Sequence, residues 1–449
     1  MTYDEAIEWL LSFADFERSG RFQDRPDVAP MLALLERLRN PHCNRAETYC
    51  PATVHVAGSK GKGSVAAMVH AALYGTVCAG LYTSPHLYSY CERIRFDSAL
   101  IDEELFTWHV EDHLKPAVDD VIEASGERRL VTFDLLTALA FLSFRGHDTE
   151  VQVIETGLGG RVDSTNVFKT KEVAAITPIS LEHTAILGDT IEEIAREKAA
   201  IITPGCTVVM SPQTHKGGER VIRDFAAAAG SAVIDVASDH EWERLSHNVN
   251  GQRVRIKSKQ GTIEGRLPLL GLHQVENAAT AIACCDALNE RWRNEYDREM
   301  FGYGLERLEW PCRIEVVREE PLVIVDGAHN RDSARRLAET LVEYFACDRA
   351  LFVIGCGSDK DIDGLAEELA PLGARVLAVR ADHPRAMDPQ RIVEAFGRLN
   401  VDTEIVENVP NGVEQALAAT SHSGLTLICV AGSLFVAAEA RAHVLGIRT

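Results

Sequence analysis

Lys62 and Ser64 lie in the run Gly58–Ser64, GSKGKGS, after the β-branched segment Val54–Val56 and before the Ala-rich Val65–Ala72. Strand, Gly-rich loop and helix in that order wrap backbone N–H groups round phosphates and aim a helix N-terminus at them. Lys62 supplies a point charge for the outer phosphates, and Ser64 a hydroxyl near phosphate and metal. Gly58, Ser59, Lys60, Gly61 and Gly63 complete the loop. The strict G-x-x-x-x-G-K-[ST] pattern is not met, because position 56 is Val and position 63 is Gly. A lone GKGS also suits an ordinary flexible turn.

Further candidates follow other apolar segments. Ala79–Tyr82 runs into Thr83-Ser84-Pro85-His86; Val151–Ile154 ends at Glu155 before Gly157–Gly160; Val173–Ile176 leads to Glu182-His183-Thr184. Mg²⁺ prefers oxygen ligands and keeps several waters, so Glu155 and Ser84 suit it. His183 suits it only in a site completed by phosphate oxygens. Each also has a plainer reading: a turn cap, a Ser-Pro turn, a satisfied loop histidine. Lys198, after Arg196 and Glu197 on the expected helix Ile191–Ala200, reads as a solvated salt-bridge partner. A lysine near a metal could instead react with CO₂ to form a carbamate, and the residues alone do not choose.

Late in the chain, Leu322–Val325 enters Asp326-Gly327-Ala328-His329-Asn330. Asp326 and His329, three apart in a turn, can face one site and position a nucleophile or move protons. They can equally make a turn hydrogen bond. Arg313 could clamp a phosphate bidentately.

Strands and helices alternate along this chain, which predicts an α/β domain with a mostly parallel sheet. Loops at Gly58, Ser84, Glu155 and His183 would then meet at the carboxyl ends of the strands, where open α/β sheets hold ligands. Before them, Tyr3–Phe13 and Ala29–Leu38 read as helices flanking a polar loop rich in Arg and Asp. Phe133–Phe144 reads as a buried helix, and Gly271–Gln274 opens another that runs through Leu288. Thr207–Arg266 reads as shorter strands with a charged, less periodic stretch, and Gly304–Arg313 as a linker. The α/β pattern then restarts at Leu322–Val325, Ser333–Tyr344, Leu351–Ile354 and Leu427–Val430. The expected domains are therefore 1–307 and 308–449.

A chain of 449 residues is too long for one ordinary core. Its 46% hydrophobic and 25% charged content is that of a globular protein in water. Net charge is −21, from 46 Lys+Arg against 67 Asp+Glu, which argues against nucleic acid and anionic membranes as partners. Anionic substrates must meet a local basic pocket. Eleven cysteines without C-x-x-C pairs, and no signal peptide, predict reduced core cysteines and a cytoplasmic protein. No apolar run approaches the roughly 20 residues that span a bilayer.

The blocks HVAGSKGKGS, GLYTSPHLYSYCERIRF (80–96), VIETGLGGRVDSTN (153–166), ITPISLEHTAILGDTIEEIAREKAAII (176–202), GLHQVENA (271–278), WPCRIEV (310–316) and DGAHN (326–330) stand in this order. Together they resemble the folylpolyglutamate synthase/dihydrofolate synthase branch of the Mur ligase superfamily. The resemblance implies a P-loop-containing ATPase domain with a mostly parallel sheet, followed by a smaller Rossmann-like α/β glutamate-ligase domain. It implies a monomer that uses ATP and Mg²⁺, at two sites, to join L-glutamate to folate or dihydropteroate through an acyl phosphate. By the same resemblance, Gly58–Ser64 form the ATP loop, and Ser84, Glu155 and His183 match magnesium ligands. Lys198 matches a lysine whose carbamate helps hold a second magnesium. Asn277 and Arg313 match ATP contacts, and Asp326 and His329 residues near the nucleotide and the incoming amine. Lys62, Lys198, Asp326 and His329 are thus the catalytic candidates. The N-terminal segment would face the pterin.

Three departures stand out. Ser59-Lys60 replaces Thr-Asn, Asp134 stands where Glu is common, and Glu182 replaces the usual Asp. None removes a group the chemistry requires. Three rivals remain: a ligase for a cell-wall precursor, a catalytically silent ATP-binding regulator and a P-loop kinase. The short segment before the phosphate loop leaves little room to recognise a UDP-sugar. Lys198, Asp326 and His329 together exceed what ATP binding alone needs.

Overall fold

A computed structural model describes the chain except for residues 20–26, 44–49, 98, 293–297, 424–426 and 448–449. The Arg/Asp-rich loop expected before the second helix falls largely on 20–26, outside the described residues. Strands Ala52–Ala57 (β1), Ala79–Tyr82 (β2), Ile94–Phe96 (β3), Ala99–Leu100 (β4), Val151–Glu155 (β5), Val173–Ile176 (β6), Thr207–Met210 (β7) and Ala232–Asp235 (β8) build one sheet. Its order is β4-β3-β2-β5-β1-β6-β7-β8. Pairing is parallel except at β2–β3 and β3–β4. Every residue of β1, β2, β5 and β6 is buried, as expected for a parallel sheet covered on both faces. These four strands are neighbours, with Val56 opposite Glu155 and Ala57 opposite Ile176. Their carboxyl ends therefore emerge along one edge, and the predicted meeting of loops occurs there.

The helix Lys62–Ala72 packs against Leu272–Trp292 and against Arg298–Glu306. The last contact is close enough that a Cβ on Gly304 would lie 1.9 Å from the Ala71 carbonyl oxygen. On the other face, Tyr3–Leu11, Ala29–Arg37 and Thr132–Gly146 bury Leu10, Leu34, Phe141 and Phe144 in a second core. The linker expectation shifts, because Gly304–Glu306 close a helix and the connection begins at Arg307.

The expectation of shorter strands over 207–266 is corrected in part. β7 and β8 extend the main sheet, while Glu241–Asn248 (β9), Gly251–Ser258 (β10) and Gly261–Leu267 (β11) form a separate antiparallel meander of long strands. Its charges look aperiodic in sequence because they pair across strands: Arg255 with Glu243 and Glu264, Lys257 with Glu241. The opposite face buries Val254, Ile256 and Ile263.

The second α/β unit contains Glu315–Arg318 (β12), Leu322–Val325 (β13), Ala350–Ile354 (β14), Gly373–Ala378 (β15), Thr403–Ile405 (β16) and Leu427–Ala431 (β17). The order is β12-β13-β17-β14-β15-β16, with only β12–β13 antiparallel. Alternate strand residues face opposite cores. Phe352 and Ile354 meet the helices Arg331–Phe345, Ile362–Leu369 and Pro389–Gly397, whereas Leu351 and Val353 meet Val409–Ser423 and Leu434–Leu445.

Eight of the cysteines are buried and Cys78 is half-buried. The reading of all eleven as free core thiols fails at Cys43 and Cys50, which are joined as a disulfide. Their Cα atoms lie 4.4 Å apart, within bridging reach. Among the described residues, no helix is long and apolar enough to cross a membrane.

Burial also makes the fold sensitive to acid. Burial lowers the pKa of His42 and His70 to about 4 and that of His109 to about 3. In the unfolded chain these rings bind protons near the ordinary histidine value, so the unfolded state holds more protons between about pH 6.5 and those values. Stability is therefore lost as pH falls through that window, by about 1.4 kcal/mol per pH unit for each ring. A scan of Tm from pH 7 to pH 5 should show a steady decline, shallower in His109→Phe.

Candidate active site

The phosphate loop begins where β1 ends. Gly58 has φ of +149°, and a Cβ there would lie 1.8 Å from Thr177 Oγ1, so only glycine lets the loop leave the sheet beside β6. Ser59 and Lys60 donate their N–H groups to Pro178 O at 3.0 and 3.2 Å, which pins the first half of the loop. Gly61 then caps the helix Lys62–Ala72 with φ of +80° and no side-chain cap. The first-turn N–H groups of Lys62, Gly63 and Ser64, which no helical carbonyl can reach, are left to an outside acceptor. An anion at this helix end is favoured by those donors and by the helix dipole.

Around the loop lies a cleft of about 780 Å³ between the two α/β units. Of the candidates, Ser59, Lys60, Gly61, Lys62, Gly63, Ser64, Ser84, Glu155, His183, Asn277, Arg313, Asp326 and His329 all line it. Gly58 and Lys198 do not.

Glu155, at the end of β5, is buried, and its Oε2 accepts the Ser84 N–H at 3.2 Å. A Cβ on Gly63 would approach that carboxylate to 3.3 Å, so the loop and the acid are in contact. Burial raises the Glu155 pKa while the Lys62 and Arg313 charges pull it down. A bound cation would relieve the same desolvation. The His183 ring is held neutral, its pKa lowered to about 4 by burial and by the charge of Lys360. One buried carboxylate, one neutral imidazole and the Ser84 hydroxyl form a donor set suited to Mg²⁺ once phosphate oxygens and water complete it. Among the described residues, no cluster of three or more His, Cys, Asp or Glu would hold a metal without such help.

Lys198 is placed differently from a solvated partner. It is 1% exposed and lies behind the phosphate loop, donating to Gly58 O and to Glu182 Oε1, both at 2.8 Å. The helix Ile191–Ala199 begins at a Thr190–Glu193 capping box and buries the face that carries Ile194, Ala195 and Lys198. Glu182 also faces Lys60 at 3.6 Å. Burial opposes its charge, but Lys198 and then Lys62 and Lys60 outweigh burial and hold the carboxyl well below the usual range. The extra cation at Lys60 is thus partly balanced. Asp134 is structural: it caps its helix through the Val131 N–H and accepts the Ser164 hydroxyl at 2.7 Å.

From the opposite wall come Asp326 and His329. Asp326 Oδ1 and Oδ2 accept the N–H groups of Ala328 and Ile314 at 2.8 and 2.9 Å, tying the end of β13 to the Arg313 segment. Both carboxylate oxygens are thus engaged by backbone N–H groups. His329 Nδ1 lies 2.9 Å from Gly327 O. A carbonyl only accepts, so Nδ1 carries the proton and Nε2 keeps its lone pair. Burial and the Lys60 charge hold the pKa of this ring at about 3. Asn277 lies against Gly61, with Oδ1 2.6 Å from where a Cβ would stand, and donates to Gln274 Oε1 at 2.9 Å.

Motif reading missed three cations on the second wall, Arg336, Lys360 and Arg385, which also line the cleft. Lys360 follows the apolar run of β14, a position that strand-end reasoning could have found; Arg385 carries no local signal. Phe16, Tyr90, Phe133 and Leu136 give the cleft an apolar, partly aromatic stretch of lining, and Arg161 lines it too.

Residues 56–285 match the Mur ligase middle domain family, and residues 312–434 the Mur ligase glutamate ligase domain family. A relative in Haloferax volcanii, named a probable bifunctional folylpolyglutamate synthase/dihydropteroate synthase, is 36% identical over 98% of this chain and 50% of its own length. The Bacillus subtilis dihydrofolate synthase/folylpolyglutamate synthase is 31% identical over 98% of both chains. The chain thus spans about half the length of the archaeal relative and nearly all of the bacterial one. The solved Mycobacterium tuberculosis folylpolyglutamate synthase, complexed with ADP and AMPPCP, superposes with a TM-score of 0.86 at 30% identity, covering 100% of this chain and 99% of that one.

Proposed function

The chain belongs to the folylpolyglutamate synthase/dihydrofolate synthase family of Mur ligases, and from that premise we propose that it joins L-glutamate to a folate or dihydropteroate carboxylate using ATP. The observation that carries this reading is the single cleft. It brings phosphate-binding N–H groups, a buried carboxylate and a neutral histidine from two units to one space. We further propose that the chain works as a cytoplasmic monomer, with the units divided near residue 307.

A carboxylate is a poor electrophile, so activation comes first. The pterin substrate lies along the aromatic stretch, and the triphosphate on the loop. The substrate carboxylate oxygen attacks the γ-phosphorus, the bond to the β-phosphate oxygen breaks, and ADP leaves. Lys62 and the first-turn N–H groups from one wall, with Arg313 from the other, stabilise the charge on the transferring phosphoryl. Magnesium held by Ser84, Glu155 and His183 would add charge neutralisation at the phosphate oxygens. A second magnesium would require Lys198 as its carbamate; as the free amine, Lys198 instead anchors the phosphate loop through Gly58. The glutamate amine then attacks the acyl carbon and phosphate departs. His329 Nε2 keeps its lone pair and orients the amine by accepting one of its hydrogens. A ring whose pKa is held at about 3 is too weak a base to keep the proton, which leaves with the departing phosphate. Lys360 and Arg385 offer cations to the carboxylates of the incoming amino acid.

Phosphate release measured with dihydropteroate or tetrahydrofolate should depend on glutamate and yield amide product. Hydrolysis stimulated instead by a UDP-muramyl precursor would assign the site to cell-wall ligation. A phosphorylated product without amide formation would indicate a kinase, and no turnover of ATP with any substrate a silent ATP binder.

A further inference from the structure

Arg313 stands on an unusual backbone. Its neighbours Cys312 and Ile314 have φ of +58° and +50°. For a β-branched residue such as Ile this is an outlier, and it persists only where the surroundings over-determine it. Several contacts do so. Gly327 donates its N–H to Cys312 O at 3.1 Å, and Asp326 holds the Ile314 N–H. Glu315 Oε2 accepts the Cys312 N–H at 2.9 Å.

Glu315 is itself held. Arg441, on the helix Leu434–Leu445, donates from Nε to both Glu315 oxygens at 2.9 Å. Tyr88 of the opposite unit reaches the same helix, its hydroxyl donating to Ala438 O at 3.0 Å and lying against the Arg441 side chain. Tyr88 belongs to the loop that begins at Ser84. Glu92 braces that loop by accepting the N–H groups of Leu87, Tyr88 and Ser89 at 2.7, 2.8 and 2.9 Å. Leu87 and Tyr88 pack on the core of the second unit.

We propose that Tyr88, Arg441 and Glu315 form a positioning relay, in which docking of the Ser84 loop on the second unit sets the Cys312–Ile314 backbone that aims Arg313 into the cleft. The inference rests on the reading of Arg313 as a phosphate contact. The loop that bears a metal-ligand candidate and the guanidinium that meets the phosphates are thereby coupled, so the phosphate site is complete only with the two units docked. None of the three residues touches substrate; they act through Arg313.

Steady-state kinetics of the full chain test this with Arg313→Ala, Glu315→Ala, Arg441→Lys and Tyr88→Phe, each alongside its Tm. Losing a charge-assisted backbone clamp should raise KM for ATP about tenfold in Glu315→Ala. KM for glutamate should stay unchanged, and combining Glu315→Ala with Arg313→Ala should add nothing to Arg313→Ala alone. Tyr88→Phe, which removes one oxygen at the unit boundary, should raise KM for ATP about threefold at an unchanged Tm; it decides the matter should Glu315→Ala fail to fold. Arg441→Lys, which keeps the charge but loses the Nε donor, should fall between wild type and Glu315→Ala. An unchanged KM for ATP in Glu315→Ala and Tyr88→Phe, or an equal rise for ATP and glutamate, overturns the relay. An unchanged KM for ATP in Arg313→Ala overturns instead the reading of Arg313, which separates the two failures.

Discussion

Lys62→Ala should lower turnover about 10²–10³-fold while the fold stays intact, the usual cost of removing one group that stabilises a developing charge. Lys62 is the first residue of its helix and lines the cleft, so its side chain is not part of the packed apolar core. The loss should appear in kcat more than in KM for ATP, because the first-turn N–H groups remain to hold the ground-state phosphates. Single-turnover formation of the amide, with far-ultraviolet circular dichroism as the control, measures both. Wild-type turnover in the variant would take Lys62 out of the mechanism.

The second large effect concerns stability. Glu182→Ala should destabilise the protein by about 3–5 kcal/mol, because Lys198 would keep its charge in a buried site without its carboxylate. Lys198 is 1% exposed, and the pair is 2.8 Å apart. Desolvation already lowers the Lys198 pKa against the pull of Glu182. Without Glu182 the folded-state value falls further, so the unfolded chain binds more protons over a wider range and the variant should regain stability as pH rises. Glu182→Asp, one methylene shorter, should recover most of the loss. Urea unfolding at pH 7 and pH 9 reads both effects. A loss below about 1 kcal/mol would mean that water already screens the pair.

Residue order alone located much of this molecule. The strands Ala79–Tyr82, Val173–Ile176 and Leu322–Val325 lie where expected, because a strand buried on both faces reads as an unbroken apolar run between turn residues. The phosphate loop is equally local. Its glycines answer to a positive φ, and its lysine and serine to a helix N-terminus a few residues away. The charged meander misled because its logic is cross-strand: Arg255 meets Glu243 and Glu264, and no window along the chain shows those pairs side by side.

Other features depend on where distant segments land. Lys198 sits among charges typical of a solvated helix face, yet it is buried against Gly58, 140 residues earlier. Cys43 and Cys50 look like scattered core thiols until their Cα atoms are found 4.4 Å apart. Lys360, Arg385 and the backbone of Arg313 acquire meaning only when the second unit faces the first. Short-range sterics and periodic burial act over a few residues, so they can be read in order along a chain. Charge pairing, desolvation and the closure of a cleft depend on distances through space, and those exist only after the two sheets have formed and met.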